Sequence, residues 1–125
     1  MSSTPDSVVV WAEIPVTDLD RAMTFYGSVL KTQLKKQEDG PNPIAMFVAE
    51  DSDAVAGHLY PGTPAGDGRG PTIHLAVPDD LEATADRVRQ AGGTILSDPI
   101  EIPAGRFIYG QDPDGNSIGL FAFAR

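Results

Sequence analysis

Residues 8–18 read Val-Val-Val-Trp-Ala-Glu-Ile-Pro-Val-Thr-Asp, and a similar pattern returns at residues 72–80 as Thr-Ile-His-Leu-Ala-Val-Pro-Asp-Asp. An offset of 61 residues aligns Glu13 with His74 when the two halves of the sequence are compared. The offset becomes 62 from the alignment of Asp18 with Asp80 onward. Self-similarity of this period marks a duplicated structural unit. A half of about 60 residues buries too little surface to be stable alone, so both halves are expected to share one fold.

Each half carries the periodicities of a strand, a helix and three short strands. Apolar residues alternate at residues 8–16 and then recur at three- and four-residue steps up to Leu30, which predicts a helix capped by Thr17 or Asp18. The other elements are predicted as strands at residues 32–37, 44–50, 54–60 and 72–77, a helix at 80–91, and strands at 94–97, 106–111 and 117–123. The predicted fold is α+β, with two tandem βαβββ modules at about residues 8–60 and 72–123 and a glycine- and proline-rich linker at 61–71.

The composition excludes several classes of function. The chain has no cysteine, which excludes disulfides, thiolate catalysis and sulfur-ligated metals. Nine basic residues against eighteen acidic residues give a formal charge of −9, so neither nucleic acid nor an anionic membrane is an expected partner. No apolar run is long enough to span a membrane, and residues 1–7 lack the features of a secretory signal. A cytoplasmic location is therefore expected.

Four passages together point to a family. They are Ile-Pro-Val-Thr-Asp-Leu-Asp-Arg-Ala at 14–22 with Phe25-Tyr26, Asp-Leu-Glu-Ala at 80–83, Ala-Gly-Gly at 91–93, and Asp-Pro-Asp-Gly-Asn at 112–116 leading to Ile118-Gly119-Leu120. Over essentially its whole length the chain resembles the vicinal oxygen chelate superfamily, which contains glyoxalase I, bleomycin- and fosfomycin-resistance proteins and extradiol dioxygenases. The resemblance implies paired βαβββ modules whose strands curl into a cleft, with the helices outside. One fold hosts many chemistries, so function must be argued from the site.

The resemblance also implies where a metal would bind. Enzymes of the superfamily hold a divalent metal with His and Glu side chains from the first and last strands of each module. Carried over to this chain, those positions are Trp11 and Thr72 in the first strands and Gly57 and Gly119 in the last strands. None of these residues supplies the required ligand, and a metal site needs three or four converging ligands. No metal ion or other cofactor is therefore expected, although a divalent metal at a shifted site stays open.

Glu13 and His74 are the strongest candidates for catalysis. Glu13 and His74 lie two residues after Trp11 and Thr72, the positions at which the resemblance places metal ligands in the first strands. Residues two apart on a strand face the same way, so both side chains are expected to point into the cleft and to face each other. A carboxylate can orient an imidazole and tune it as an acid or base near neutral pH. The same pair could instead only satisfy buried polarity, or form part of a weak metal site. The sequence leaves all three interpretations open.

Further ligand-binding candidates are aromatic or basic. Trp11 and Phe121 belong to the predicted cleft face and could form an aromatic wall for a planar or apolar ligand, or could merely fill space. Tyr109 and Arg106 are candidates for polar contacts with the ligand. His58 is expected by alternation to point away from the cleft and to serve packing or surface polarity.

Three functional hypotheses follow. The favoured one is a metal-independent module of the bleomycin-resistance kind, which binds a small aromatic or apolar molecule in its cleft. The alternatives are an isomerase, lyase or epimerase that uses Glu13 and His74 for proton transfer, and a glyoxalase- or dioxygenase-like metal enzyme with a shifted site. The resemblance further implies a homodimer, because members of the superfamily commonly pair.

Overall fold

The order of the elements agrees with the duplicated pattern. A computed structural model describes residues 8–48 and 56–124, with β1 (Trp11–Val16), α1 (Leu19–Leu30), β2 (Lys35–Gln37), β3 (Ile44–Met46), β4 (Ala56–Pro61), β5 (Ile73–Ala76), α2 (Leu81–Gln90), β6 (Thr94–Ile95), β7 (Ile100–Ile102), β8 (Gly105–Gln111) and β9 (Ser117–Phe123). The α+β class and the strand–helix–strand order of both halves are confirmed, and β7 is an addition to the predicted strands. Predicted strand residues 49–50 and 54–55 lie outside the described residues.

The strands form two sheets that repeat one topology. The first sheet has the order β1-β4-β3-β2, and the second has the order β5-β9-β8-β6 with β7 also paired to β8. In each module the first and last strands are parallel and the remaining pairs are antiparallel. β1 and β5 therefore lie at sheet edges, and no strand pairing within the described ranges joins the two sheets.

The two helices begin where the sequence predicts. Asp18 caps α1 by accepting a hydrogen bond from Arg21 N at 3.1 Å, and Asp80 caps α2 by accepting one from Ala83 N at 2.7 Å. α1 ends at Leu30, and its C-cap Lys31 adopts the left-handed conformation with φ 53°. Neither helix in residues 8–48 and 56–124 is both long and apolar enough to cross a membrane. The cytoplasmic location stays a prediction.

One hydrophobic core spans both modules. Its buried residues come from both helices and from the helix-facing side of both sheets: Ile14, Val16, Leu19, Ala22, Phe25, Tyr26, Val29, Ala45, Leu59, Leu81, Ala85, Val88, Ile108, Ile118 and Leu120. Burying a large apolar side chain stabilises the fold by about 1.5–3 kcal/mol. Alternation along the first strands predicts that their apolar side chains face the helices, and Ile14 and Val16 are fully buried there. Ile73, Leu75 and Val77 pack on the core but are only half-buried, because β5 borders an open groove.

The turn at residues 112–116 fastens the two modules together. Asp112 is 3% exposed and accepts a hydrogen bond of 2.7 Å from the buried Tyr26 hydroxyl of α1. Burial, and then the charge of Asp112, raise the pKa of Tyr26 well above its ordinary value. Asp114 accepts hydrogen bonds from Arg21 at 2.6 Å and from the Thr17 hydroxyl at 2.6 Å. The conspicuous turn motif is thus a structural contact between modules.

Candidate functional site

Strand pairing fixes which side chains share a face. Glu13 on β1 lies opposite His58 on β4, and His74 on β5 lies opposite Gly119 on β9. The shift of 61 residues therefore persists to the last strands, and His58 is the counterpart of Gly119. The expected match of Gly57 with Gly119 is wrong. A change of register by one residue moves a side chain to the other face of a sheet. Gly57 is accordingly buried, and His58 takes the position opposite Glu13.

His58 faces the cleft of the first module, and the prediction that it points away is therefore wrong. Trp11 Nε1 donates a hydrogen bond to His58 Nδ1 at 3.0 Å, and His58 Nε2 lies 3.3 Å from Glu13 Oε1. Because Nδ1 accepts the indole hydrogen, the proton of the neutral ring must be on Nε2, where it faces the carboxylate. Both ring nitrogens are therefore engaged, and the ring holds Trp11 and Glu13 in place.

The expected contact between Glu13 and His74 is not formed within the described chain. The ion-pair partner of Glu13 is His58, and the two predicted residues line different clefts. The physical reason is that each residue lies on the concave face of its own sheet, and the two sheets are separate. The geometry therefore corrects the predicted pairing, while the catalytic roles of Glu13 and His74 stay predictions.

The cleft of the first module is polar and acidic. It encloses about 360 Å³. Two carboxylates line it, from Glu13 and Asp39, together with the side chains of His58 and Tyr60. Neither lysine nor arginine is among its described lining residues. Glu13 is 64% exposed, so its charge is largely solvated.

The second module presents an aromatic cluster at the equivalent place. The His74 ring lies 5.2 Å from Phe107, 5.9 Å from Tyr109 and 6.2 Å from Phe121, measured between centroids, and all three contacts are edge-to-face. Phe107 and Phe121 stack at 5.9 Å, and Phe123 packs against Phe121 at 4.9 Å. Tyr109 and Phe121 were predicted for the cleft, whereas Phe107 and Phe123 were missed. Their spacing of two residues from the predicted aromatics was the available signal.

Gly119 makes the position of His74 possible. A Cβ atom at residue 119 would overlap the Nδ1, Cε1 and Cγ atoms of the His74 ring. The imidazole therefore lies directly on the backbone of β9, in space that any larger side chain would fill. No hydrogen-bond partner of His74 occurs among residues 8–48 and 56–124. Its ring is held by aromatic contacts alone, and it is exposed to the groove.

A large apolar groove runs past this cluster. Its volume is about 1250 Å³, and its lining includes Phe47, His74, Phe107, Phe121 and Phe123. Lys31 and His74 are the ionisable residues in its described lining, and neither aspartate nor glutamate belongs to that lining. Its walls are predominantly apolar and come from both modules.

Arg106 lies on the other side of the second sheet. It pairs with Ala122 across the strands and faces α2, where its guanidinium lies 3.5 Å from Glu82. The guanidinium also lies 3.7 Å from Glu101 of β7. Alternation along β8 places Phe107 and Tyr109 on the same face of the sheet as His74, and Arg106 on the face towards the helix. The expected contact of Arg106 with a cleft ligand therefore does not fit its position.

The residues of one chain do not fit the metal site that the superfamily implies. With the corrected register, its four positions hold Trp11, His58, Thr72 and Gly119, of which His58 alone is a metal-ligating type. Both nitrogens of that ring already contact Trp11 and Glu13. Among the described residues, no group of three or more histidine, aspartate or glutamate side chains could hold a metal ion. The expectation that no metal binds stays a prediction.

Solved structures with the same fold include enzymes and resistance proteins. Glyoxalase I from Zea mays superposes with a TM-score of 0.69 at 26% identity, over 90% of this chain and 45% of that one. A glyoxalase/bleomycin resistance protein from Albidiferax ferrireducens superposes with a TM-score of 0.68 at 20% identity, over 94% of this chain and 100% of that one.

Relatives and a family model agree with these likenesses. A "Putative glyoxylase CFP32" of Mycobacterium bovis is 30% identical over 86% of this chain, which spans only 41% of that protein. A "Probable lactoylglutathione lyase" of Synechocystis sp. is 28% identical over 86% of this chain and 88% of the relative. The family model described as "Glyoxalase/Bleomycin resistance protein/Dioxygenase superfamily" matches residues 8–120. The chain therefore belongs to the glyoxalase/bleomycin resistance protein/dioxygenase superfamily.

Proposed function

We propose that this protein binds a small aromatic or apolar molecule in the apolar groove that both modules line beside His74, without a metal ion. The observation that carries the proposal is the cluster of Phe107, Tyr109, Phe121 and Phe123 around His74, beside a groove of about 1250 Å³. Aromatic walls favour a planar ligand through offset or edge-to-face contacts. The imidazole of His74, which has no hydrogen-bond partner in the part of the chain that the structure describes, supplies a polar group that can orient the ligand.

Calorimetric titration with 1-naphthamide, a neutral planar probe, tests this proposal. We expect saturable binding and a loss of affinity in Phe121→Leu, which removes the ring but keeps an apolar side chain. The loss should be about two- to tenfold, because an aromatic contact contributes roughly 0.5–1.5 kcal/mol. Tyr60→Leu is the matched control, because Tyr60 is an aromatic residue of the other cleft. Equal affinities in both variants would contradict the proposal.

We also propose that the chain forms a homodimer. The support is an apolar segment at the open edge of the first sheet, where Val8 is 97%, Val10 is 63% and Trp11 is 42% exposed. Uncovered apolar edge strands tend to pair with another chain. Sedimentation at micromolar concentration should give twice the mass of 13.2 kDa, and Val10→Lys should weaken the association. A monomer in the wild type would remove this proposal.

A lyase or isomerase activity is a second candidate function. Its support is the His58 imidazole, which Trp11 and Glu13 orient as an acid or base would be oriented. The names of the relatives, among them a lactoylglutathione lyase of Haemophilus influenzae that is 29% identical, point in the same direction. The assay is turnover of lactoylglutathione with and without added divalent metal, in the wild type and in His58→Gln. Turnover that His58→Gln abolishes would favour this candidate over binding alone.

A further inference from the structure

We propose that the cleft of the first module binds a small organic cation, namely an alkylated ammonium group, between the carboxylate of Glu13 and the ring of Tyr60. The described linings of this cleft and of the groove beside His74 share no residue, so the inference does not depend on the function proposed for that groove. Three observations carry it: a carboxylate whose charge is held but not neutralised, an aromatic ring beside that carboxylate, and a concave space of suitable size.

The first observation is the negative charge that Glu13 keeps. Trp11 Nε1 donates its hydrogen to His58 Nδ1 at 3.0 Å, so this nitrogen carries no proton and the His58 ring is neutral in this arrangement. The contact of 3.3 Å between His58 Nε2 and Glu13 Oε1 therefore orients the carboxylate without cancelling its charge. Each oxygen of a carboxylate can accept hydrogen bonds. A cation can thus bind the second oxygen of the 64% exposed Glu13 side chain while the first oxygen stays with His58.

The second observation is that Tyr60 lies within reach of the same cation. Glu13 and His58 are partners across the parallel strands β1 and β4, and Tyr60 follows His58 by two residues on the same face. With strands about 4.8 Å apart and a rise of about 3.3 Å per residue, the Cα atoms of Glu13 and Tyr60 are roughly 8 Å apart. Both side chains also flank one ring, because the centroids of His58 and Tyr60 are 6.2 Å apart. An aromatic face attracts a cation within about 6 Å, so one ammonium group can contact both Glu13 and Tyr60.

The third observation is the space and the charge around this pair. The cleft encloses about 360 Å³, which is at the lower end of the volumes of ligand pockets and therefore suits a small ligand. Asp39, in the segment between β2 and β3, lines the same cleft. The whole chain carries a formal charge of −9, and such a field raises the local concentration of cations. A cation in this cleft is therefore attracted more strongly than a neutral molecule of the same shape.

The experiment compares choline with 3,3-dimethylbutan-1-ol, which has a carbon atom in place of the charged nitrogen. Binding of each probe is followed near neutral pH, at low and constant ionic strength, by calorimetry and by the fluorescence of Trp11. Trp11 is the single tryptophan, and its indole is bonded to His58 in this cleft. We expect choline to bind roughly three- to thirtyfold more tightly than the alcohol, because an exposed ion pair and an exposed cation–π contact each give a preference of a few-fold.

Substitutions at Glu13 and Tyr60 locate the cation. Glu13→Gln keeps the shape and an acceptor for His58 but removes the charge, and Tyr60→Leu removes the ring but keeps an apolar side chain. Each should lower the preference for choline over the alcohol about two- to fivefold. Tyr60→Phe keeps the ring and should keep the preference. Glu101→Gln is the matched control, because it removes a carboxylate that is 80% exposed on β7, outside the described lining of the cleft.

The results expected for the variants are specific to this site. A lower preference in Glu13→Gln and Tyr60→Leu, with Tyr60→Phe and Glu101→Gln like the wild type, would support the inference. Equal affinities of the wild type for the two probes, or no binding of choline, would overturn it. A preference that survives in Glu13→Gln would also overturn it, and this exposed substitution decides the matter even when Tyr60→Leu does not fold. An equal loss in Glu101→Gln would show that only the net charge of the chain matters, and the inference would fail.

Discussion

The two modules share one topology, but their concave faces carry opposite chemistry. In the first module, Glu13 and His58 lie opposite each other on the parallel strands, and the cleft beside them is acidic and polar. In the second module, the equivalent pair is His74 and Gly119, and the groove beside it is aromatic and has no described acidic lining. The two modules thus differ both at one pair of strand positions and in the polarity of the space beside that pair.

The difference shows how a duplicated fold can specialise one of its halves. A carboxylate next to an imidazole satisfies both groups, because His58 contacts Glu13 and Trp11 and has no ring nitrogen left over. A glycine next to an imidazole instead lets the ring lie on the strand, where no described residue uses its hydrogen-bonding capacity. The half with the unsatisfied polar group is the better candidate for a ligand site.

The largest expected effect comes from filling the space at Gly119. Gly119→Ala would push the His74 ring out of its aromatic surroundings, so unfolding free energy should fall by about 1–3 kcal/mol and binding of naphthalene probes should weaken. In a His74→Ala background most of this cost should disappear, because the overlapping ring is absent. Chemical denaturation of the two single variants and the double variant measures this coupling.

Gly57→Ala is the control for that cycle. A Cβ atom at residue 57 would meet the backbone carbonyl of Ala12, which no change at His74 can relieve. The loss of unfolding free energy caused by Gly57→Ala should be the same in the wild type and in His74→Ala. If Gly119→Ala also costs the same with and without His74, then the ring does not rest on Gly119 and the contrast between the modules fails.

A smaller effect is expected at Asp79, which pairs with Arg87 and with Lys31, and it depends on pH. Hydrogen bonds from Arg87 lower the pKa of Asp79 from its ordinary value of 3.8. A folded-state pKa below the unfolded one stabilises the protein above about pH 4, and this contribution disappears as the pH falls through the lowered value. Chemical denaturation between pH 2 and 6 should therefore show that the free energy of unfolding decreases more steeply with falling pH in the wild type than in Asp79→Asn. Parallel pH profiles would contradict this expectation.

Changing Glu13 should have a slight effect. Glu13 is 64% exposed, so Glu13→Gln should alter stability by less than about 1 kcal/mol. Affinity of the second groove for its probes should not change, because Glu13 belongs to the other cleft. The fluorescence of Trp11, the single tryptophan, should report any movement of the indole as its partner His58 relaxes. A large loss of probe affinity would show that the two clefts act together.

Removing divalent metals should change nothing. The four positions where the superfamily places ligands include one metal-ligating side chain, His58, and both of its ring nitrogens are already engaged. Untagged protein should therefore contain less than stoichiometric metal, and its melting temperature should be the same with and without chelator. A tightly held ion that lowers the melting temperature when removed would contradict this and would revive the hypothesis of a shifted metal site.

Local sequence signals were sufficient for most of the fold. The repeat of residues 8–18 at residues 72–80 gave the two modules their strand–helix starts, and Asp18 and Asp80 cap the helices as expected. Alternation placed Ile14 and Val16 in the core and Glu13 on the opposite face. These features depend on residues close together in the chain, where periodicity and capping chemistry act directly.

The sequence by itself determined the duplicated α+β fold, and the tertiary structure alone decided which side chains meet in each cleft. Alternation assigns faces within one strand, but strand pairing sets the register between strands, and one residue of error hid His58 from the cleft. The partner of Glu13, the aromatic set around His74 and the turn of Arg106 towards α2 all depend on contacts between strands or helices distant in sequence. Such contacts form only when the strands and helices of each module pack together.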